Sequence, residues 1–171
     1  MARESPKRSA YPLRRSRGNC ARGYDSAPLL PGHHPESTAM ANAQDDSGVV
    51  RIASLHSVGE TLDRLERLLK ERGLIVFARI DFSGDAARAG LAMRAEQMLV
   101  FGNPRAGTPL MQAVPESGID LPLKALAWED ADGKTWLAYN SPEYVLRRHG
   151  LAASFGANLA APVPLLEAAA K

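Results

Sequence analysis

Phe101-Gly102-Asn103-Pro104-Arg105-Ala106-Gly107-Thr108-Pro109-Leu110-Met111 is the stretch on which the fold turns: an apolar run of strand character enters a Gly/Pro connection and then a helix start. Thr108-Pro109 has the order in which a hydroxyl caps a helix and proline fills the first helical position, where its missing N–H costs nothing. That order predicts a short helix over residues 109–114, ended by Pro115. Gly102 and Gly107 have the GxxxxG spacing of a phosphate loop, but Thr108 stands where that motif needs Lys, and Pro109 removes a backbone donor. A nucleoside triphosphate site is therefore disfavoured. A smaller site survives the loss: helix amides at residues 107–110, the Thr108 hydroxyl and the Arg105 guanidinium suit a carboxylate or phosphate. Gly102, Asn103, Arg105, Gly107 and Thr108 are thus the candidate ligand-binding residues, and a small anion the candidate ligand. The plain alternative is that glycines and prolines shape a tight connection and Thr108 does no more than cap the helix.

Upstream of this stretch, Val49-Val50-Arg51-Ile52-Ala53 reads as a strand and Ser57-Val58-Gly59-Glu60 as a capping box. Val58, Leu62, Leu65, Leu68 and Leu69 recur at helical spacing, with charged residues on the other face and Gly73 placed as the stop. Residues 74–80 form an apolar strand, and a turn over 81–84 leads to a short Ala-rich helix through Arg88. Residues 97–101 supply the next strand. Downstream, residues 123–129 and 135–140 flank Asp130-Ala131-Asp132-Gly133-Lys134, a hairpin signal with Gly available for a positive φ. If Asp130 opposes Lys134, Trp128 opposes Trp136 and fixes the register. Ser141-Pro142-Glu143 opens a helix through His149, stopped by Gly150, and a terminal helix is expected around residues 165–170.

The formal charge of +2 hides an uneven distribution. Residues 1–39 carry seven Lys/Arg against three Asp/Glu, which leaves 14 basic and 16 acidic residues for 40–171. The patterned part is mildly acidic, so no nucleic-acid partner is expected, because phosphate binding needs a concentrated basic face. Residues 1–48, rich in Arg, Pro, Gly and Ser and lacking either apolar period, are expected to be a disordered tail. Met40 lies just before the pattern begins, which raises the expectation that translation starts there. Cys20, the sole cysteine, excludes an intramolecular disulfide and a thiolate metal site within one chain. No apolar run approaches the ~20 residues that span a bilayer, and the N-terminus lacks a secretory apolar core. The expectation is a cytoplasmic protein without membrane contact.

The run from about Val49 to Leu151 resembles the domain of unknown function 302 family. The resemblance rests on Gly73 leading into Leu74-Ile75-Val76-Phe77, on Phe101-Gly102-Asn103-Pro104, on Gly107-Thr108-Pro109-Leu110-Met111, on Leu121-Pro122-Leu123-Lys124 before Trp128-Glu129-Asp130, and on Tyr139-Asn140-Ser141-Pro142. It implies an α+β fold, a curved antiparallel sheet with helices on one face, similar to a single half of the TATA-binding-protein-like fold and paired as a homodimer. It implies no catalytic residue, cofactor or substrate. Three segments follow: the tail 1–48, the domain 49–151, and an Ala/Pro-rich extension 152–171.

Other chemistry-bearing residues read more plainly. His56 and His149 are far apart and show no HxxxH or HExxH spacing, so no metal site is expected, and His149 suits a helix C-terminus. No serine sits in a GxSxG elbow. Trp128, Trp136 and Tyr139 could stack bases, but Glu129, Asp130 and Asp132 crowd the same hairpin, which favours packing instead. The expected function is a non-catalytic homodimeric module that binds a ligand or partner through residues 102–111, with no cofactor. The alternative is an enzyme using Thr108, Arg105 and one of His149 or Glu129 in a pocket near that loop.

Overall fold

Ser57 and Glu60 close the reciprocal pair that their spacing predicts. The Glu60 amide donates to Ser57 Oγ at 3.3 Å and the Ser57 amide donates to Glu60 Oε2 at 3.0 Å. Helix α1 (Val58–Glu71) follows, with Leu62, Leu65 and Leu69 fully buried on one face. Each buried leucine contributes about 1.5–3 kcal/mol, so packing outweighs the roughly 1 kcal/mol of the cap and decides where the helix lies. Gly73 ends it at φ 71°, in the left-handed region.

The computed structural model describes residues 47–171. Expectations for the tail before residue 47, and for a start at Met40, lie outside the described residues. Strand β1 (Val49–Ser54) precedes α1, and β2 (Ile75–Asp81) follows it. Helix α2 (Phe82–Arg88) starts earlier than the turn read over 81–84 allowed, because Asp81 caps it by accepting from the Gly84 amide at 2.9 Å. Then come β3 (Glu96–Gly102), α3 (Pro104–Ala113), a 3-10 helix (Pro115–Ile119), β4 (Leu123–Glu129), β5 (Thr135–Asn140), α4 (Pro142–Arg148), a second 3-10 helix (Ala153–Phe155), α5 (Gly156–Ala160) and α6 (Val163–Ala170).

The strands form one open five-stranded sheet in the order β1-β5-β4-β3-β2, antiparallel at every pairing. Strands β1 and β2 are the two edges, so α1 must cross the sheet to join them. Alternation sorts the side chains: Ile52, Leu137, Ala127, Ala125, Leu99 and Phe101 share the face that meets α1. A second cluster, Leu110, Val145, Leu151 and Leu159, continues this core through Leu123, which packs against both. The opposite face carries Ile80, Met98, Val100, Leu126, Trp128 and Trp136, all half-buried.

At the β4–β5 hairpin the Asp130 amide donates to the Lys134 carbonyl at 2.9 Å, Gly133 takes φ 76°, and Trp128 pairs with Trp136 as the spacing predicts. The indoles stack with centroids 6.5 Å apart, a geometry worth about 0.5–1.5 kcal/mol. The Ala/Pro-rich extension carries the expected terminal helix, and that helix packs into the core. Leu165, Leu166, Ala169 and Ala170 are buried against α1, and the Ala170 carbonyl accepts from the Leu55 amide at 2.9 Å. Alanines there let α6 approach α1 closely, which a composition-based reading takes for low information.

Candidate functional site

The Gly102 to Met111 stretch forms one wall of a cleft of about 550 Å³. Its local structure differs from the sequence expectation at one decisive point. The helix opens at Asn103-Pro104, five residues before Thr108-Pro109. Asn103 is the cap, its Oδ1 accepting from the Arg105 amide at 2.9 Å, and Pro109 lies inside α3. Asn103-Pro104 has the same cap-then-proline order as Thr108-Pro109, and the earlier pair wins because it directly follows β3.

That shift removes the amide cradle expected at residues 107–110. Pro104 has no N–H, the Arg105 amide is held by the Asn103 side chain, and the Ala106 and Gly107 amides both donate to the Asn103 carbonyl at 2.9 Å. The helix start is closed on itself.

Of the candidate residues, Gly102, Asn103, Gly107 and Thr108 line the cleft, while Arg105 is exposed and is not among its lining residues. Facing them are Leu121, Pro122 and Leu123, with Arg72, Leu74 and Phe77 from the α1–β2 junction. The third wall comes from the C-terminal helices, through Asn158, Leu159, Ala161, Pro162, Pro164 and Leu165. The lining is predominantly apolar. Asn158 is anchored by donating from Nδ2 to the Ala106 carbonyl at 2.9 Å, which locks α5 to α3. Among the described residues, Arg72 supplies the one basic side chain of the lining, and no carboxylate lines the cleft. Sequence reasoning missed Arg72, Phe77 and the whole C-terminal wall. In the sequence Phe77 is one more apolar residue of the run 74–80, and its 51% exposure on an edge strand is visible only in the fold.

The groups required by the enzyme alternative do not converge. Thr108 lines the cleft, but Arg105, His149 and Glu129 do not. His149 is the C-cap of α4, and its Nε2 lies 2.6 Å from Asp120 Oδ2 with both side chains buried. The partner of His149 is therefore Asp120 and no group of the enzyme alternative. Burial raises the Tyr139 phenol above its usual range, and the Glu167 and Glu143 carboxylates add to the effect.

In the hairpin, Trp136 Nε1 donates to Asp130 Oδ2 at 2.7 Å, and the Lys134 ammonium sits 4.2 Å from the Trp136 ring centroid. The indole N–H, then the Lys134 backbone amide, hold the Asp130 carboxyl below the usual carboxylate range.

Comparison with known proteins places this architecture. The family model described as "Domain of unknown function DUF302" matches residues 50–163. The chain belongs to the DUF302 family. The DUF302 fold is shared by the crystal structure of an uncharacterized conserved protein DUF302 from Bacillus stearothermophilus. That structure has a TM-score of 0.61 and 19% identity, covering 72% of this chain and 95% of the other. The DUF302 domain is also similar to "Fluoride-specific ion channel FluC 1" of Brucella suis biovar 1 (strain 1330), 42% identical over 132 residues, 77% of this chain and 50% of that protein. "Fluoride-specific ion channel FluC 1" of Brucella abortus biovar 1 (strain 9-941) has the same identity, with 47% of its length matched. The chain spans about half the length of the curated relatives it matches. Among the described residues of this DUF302 protein, no helix is long and apolar enough to cross a membrane.

Proposed function

We propose that this chain is a non-catalytic, homodimeric binding module that holds a small ligand in the cleft between α3, the residues before β4 and the C-terminal helices. The observation that carries the reading is the cleft itself. Its volume of about 550 Å³ falls within the roughly 300–1,000 Å³ of small-molecule sites, and its mostly apolar walls with a few polar groups match their usual character. Catalysis would need nucleophile, base and charge stabiliser around one cavity, and of the candidates Thr108 stands there alone.

The half-buried apolar side of the sheet supports a second copy as partner. Met98, Leu126, Trp128 and Trp136 lie on adjacent strands there, and aromatic and Met side chains are favoured at the centre of interfaces.

The Brucella relatives add a role. An ion channel needs segments that cross the bilayer, and the part of those proteins that resembles this chain is about half of their length. We assign conduction to their other half and an accessory, ligand-sensing or partner-binding role to the half like this chain.

Native mass spectrometry of the full chain purified from its own cells tests the reading. The expected result is a dimer with a retained small molecule. A bare monomer at all concentrations overturns it.

A further inference from the structure

The cleft's electrostatics and lining narrow the ligand further, on the reading that it is a small-molecule site. Its polar side chains are few. Asn103 has its carbonyl committed to the Arg105 amide, and Asn158 has its amide committed to the Ala106 carbonyl. A sugar or nucleotide would bring more hydroxyl and phosphate groups than the cleft can pair, and each unpaired group would cost affinity.

Arg72 is different. It is exposed at the end of α1, and among the described residues no carboxylate pairs with its guanidinium, whereas its neighbour Glu71 pairs with Arg67 at 3.1 Å. Among the described residues no acidic side chain lines the cleft, so a cation meets no compensating charge there and an anion meets one fork. The Thr108 hydroxyl is a second group in the lining with a proton to donate. The apolar remainder is left partly open to water: Phe77 is 51% exposed and Met111 38%. An aliphatic chain laid against Phe77, Met111 and Leu121 would cover them.

We propose that the cleft takes a free single-chain amphipathic carboxylate, its head group on Arg72 and its aliphatic body along Phe77, Met111 and Leu121. Calorimetric titration of the full chain with decanoate, decanol and decyltrimethylammonium tests it. Decanoate should bind, decanol about tenfold more weakly or worse, and the ammonium not measurably, because a charge-assisted contact separates the first from the second. Arg72→Gln should bring decanoate to the affinity of decanol and leave decanol unchanged. Lengthening the carboxylate should strengthen binding by up to about fourfold per methylene.

Gly107→Phe tests the location. A Cβ there would meet only Leu121 Cδ1, at ordinary contact distance of 3.8 Å, so the ring grows across the cleft without a positive-φ penalty. It should abolish decanoate binding while thermal unfolding stays cooperative.

Equal binding of decanoate and decanol, or indifference to Arg72→Gln, overturns the head-group assignment and leaves the cleft reading standing. Decanoate binding that survives Gly107→Phe overturns both. If no probe binds, the carboxylate assignment fails, and the molecule retained in native mass spectrometry judges the cleft reading separately. Flotation of the protein with phosphatidylglycerol vesicles, with no binding of monomeric decanoate, overturns the proposal in favour of a membrane surface.

Discussion

His149 Nε2 and Asp120 Oδ2, 29 residues apart in sequence, meet at 2.6 Å and tie the end of α4 to the residue that precedes Leu121-Pro122 in the cleft wall. Both side chains are largely buried, so water is a poor substitute partner for either. Asp120 also has Arg148 Nη1 at 3.5 Å from its Oδ1, so losing His149 leaves it one partner, whereas losing Asp120 leaves His149 Nε2 without its partner, at a cost of about 1–3 kcal/mol. Asp120→Ala should lower the unfolding free energy by that amount, read as a lower denaturant midpoint at unchanged slope, with Asp120→Asn losing less because it keeps a hydrogen-bonding oxygen. An unchanged midpoint for Asp120→Ala would remove the contact's role.

Acid should open the β4–β5 hairpin before the rest of the sheet. The Asp130 carboxyl is depressed in the folded state by the Trp136 indole and the Lys134 amide. A depressed value means that the ionised group stabilises the fold at pH above the ordinary aspartate range. The contribution is lost as pH falls through that range toward the folded value. Tryptophan fluorescence should therefore stay constant from neutral pH down to that range and change below it, and the change should be absent in Asp130→Asn. A transition near neutral pH would contradict the assignment.

Most of the sheet was legible because its signals are local. Ser57 and Glu60 sit three apart, Trp128 and Trp136 sit symmetrically about one turn, and the leucines of α1 recur on one face. The cleft was half legible: Gly102, Asn103, Gly107 and Thr108 do line it. The misplaced helix start has a specific cause. Asn103-Pro104 and Thr108-Pro109 carry the same local code, and only the distance from the end of β3 chooses between them. Arg72, Asp120 and Leu159 could not be read at all. Their roles come from contacts with segments distant in sequence, and nothing in their immediate neighbours reports those contacts.

The C-terminal helix should be as indispensable as α1. Leu166 is 2% exposed and packs in the main cluster with Leu62 and Leu65. Leu166→Ala should destabilise by about 2–5 kcal/mol, the range for a buried leucine whose cavity cannot collapse. The exposed neighbour Glu167→Ala should stay within about 0.5 kcal/mol. Calorimetric unfolding of the two variants distinguishes an integral helix from an appended one, for which both losses would be small.

The two Pro-containing pairs of α3 can be separated by stability alone. In the structure Asn103 caps the helix, so Asn103→Ala deprives the Arg105 amide of its acceptor and should cost about 1 kcal/mol. Thr108 lies in the helix interior, where alanine is the better helix former, so Thr108→Ala should be neutral or stabilising by a few tenths of a kcal/mol. If Thr108 were the cap, the order would reverse. Urea unfolding of both variants decides it, because the predicted changes have opposite signs or differ severalfold. The same pair separates folding from binding: Thr108 lines the cleft, so its loss should weaken decanoate binding, where its hydroxyl is removed, without lowering the unfolding midpoint.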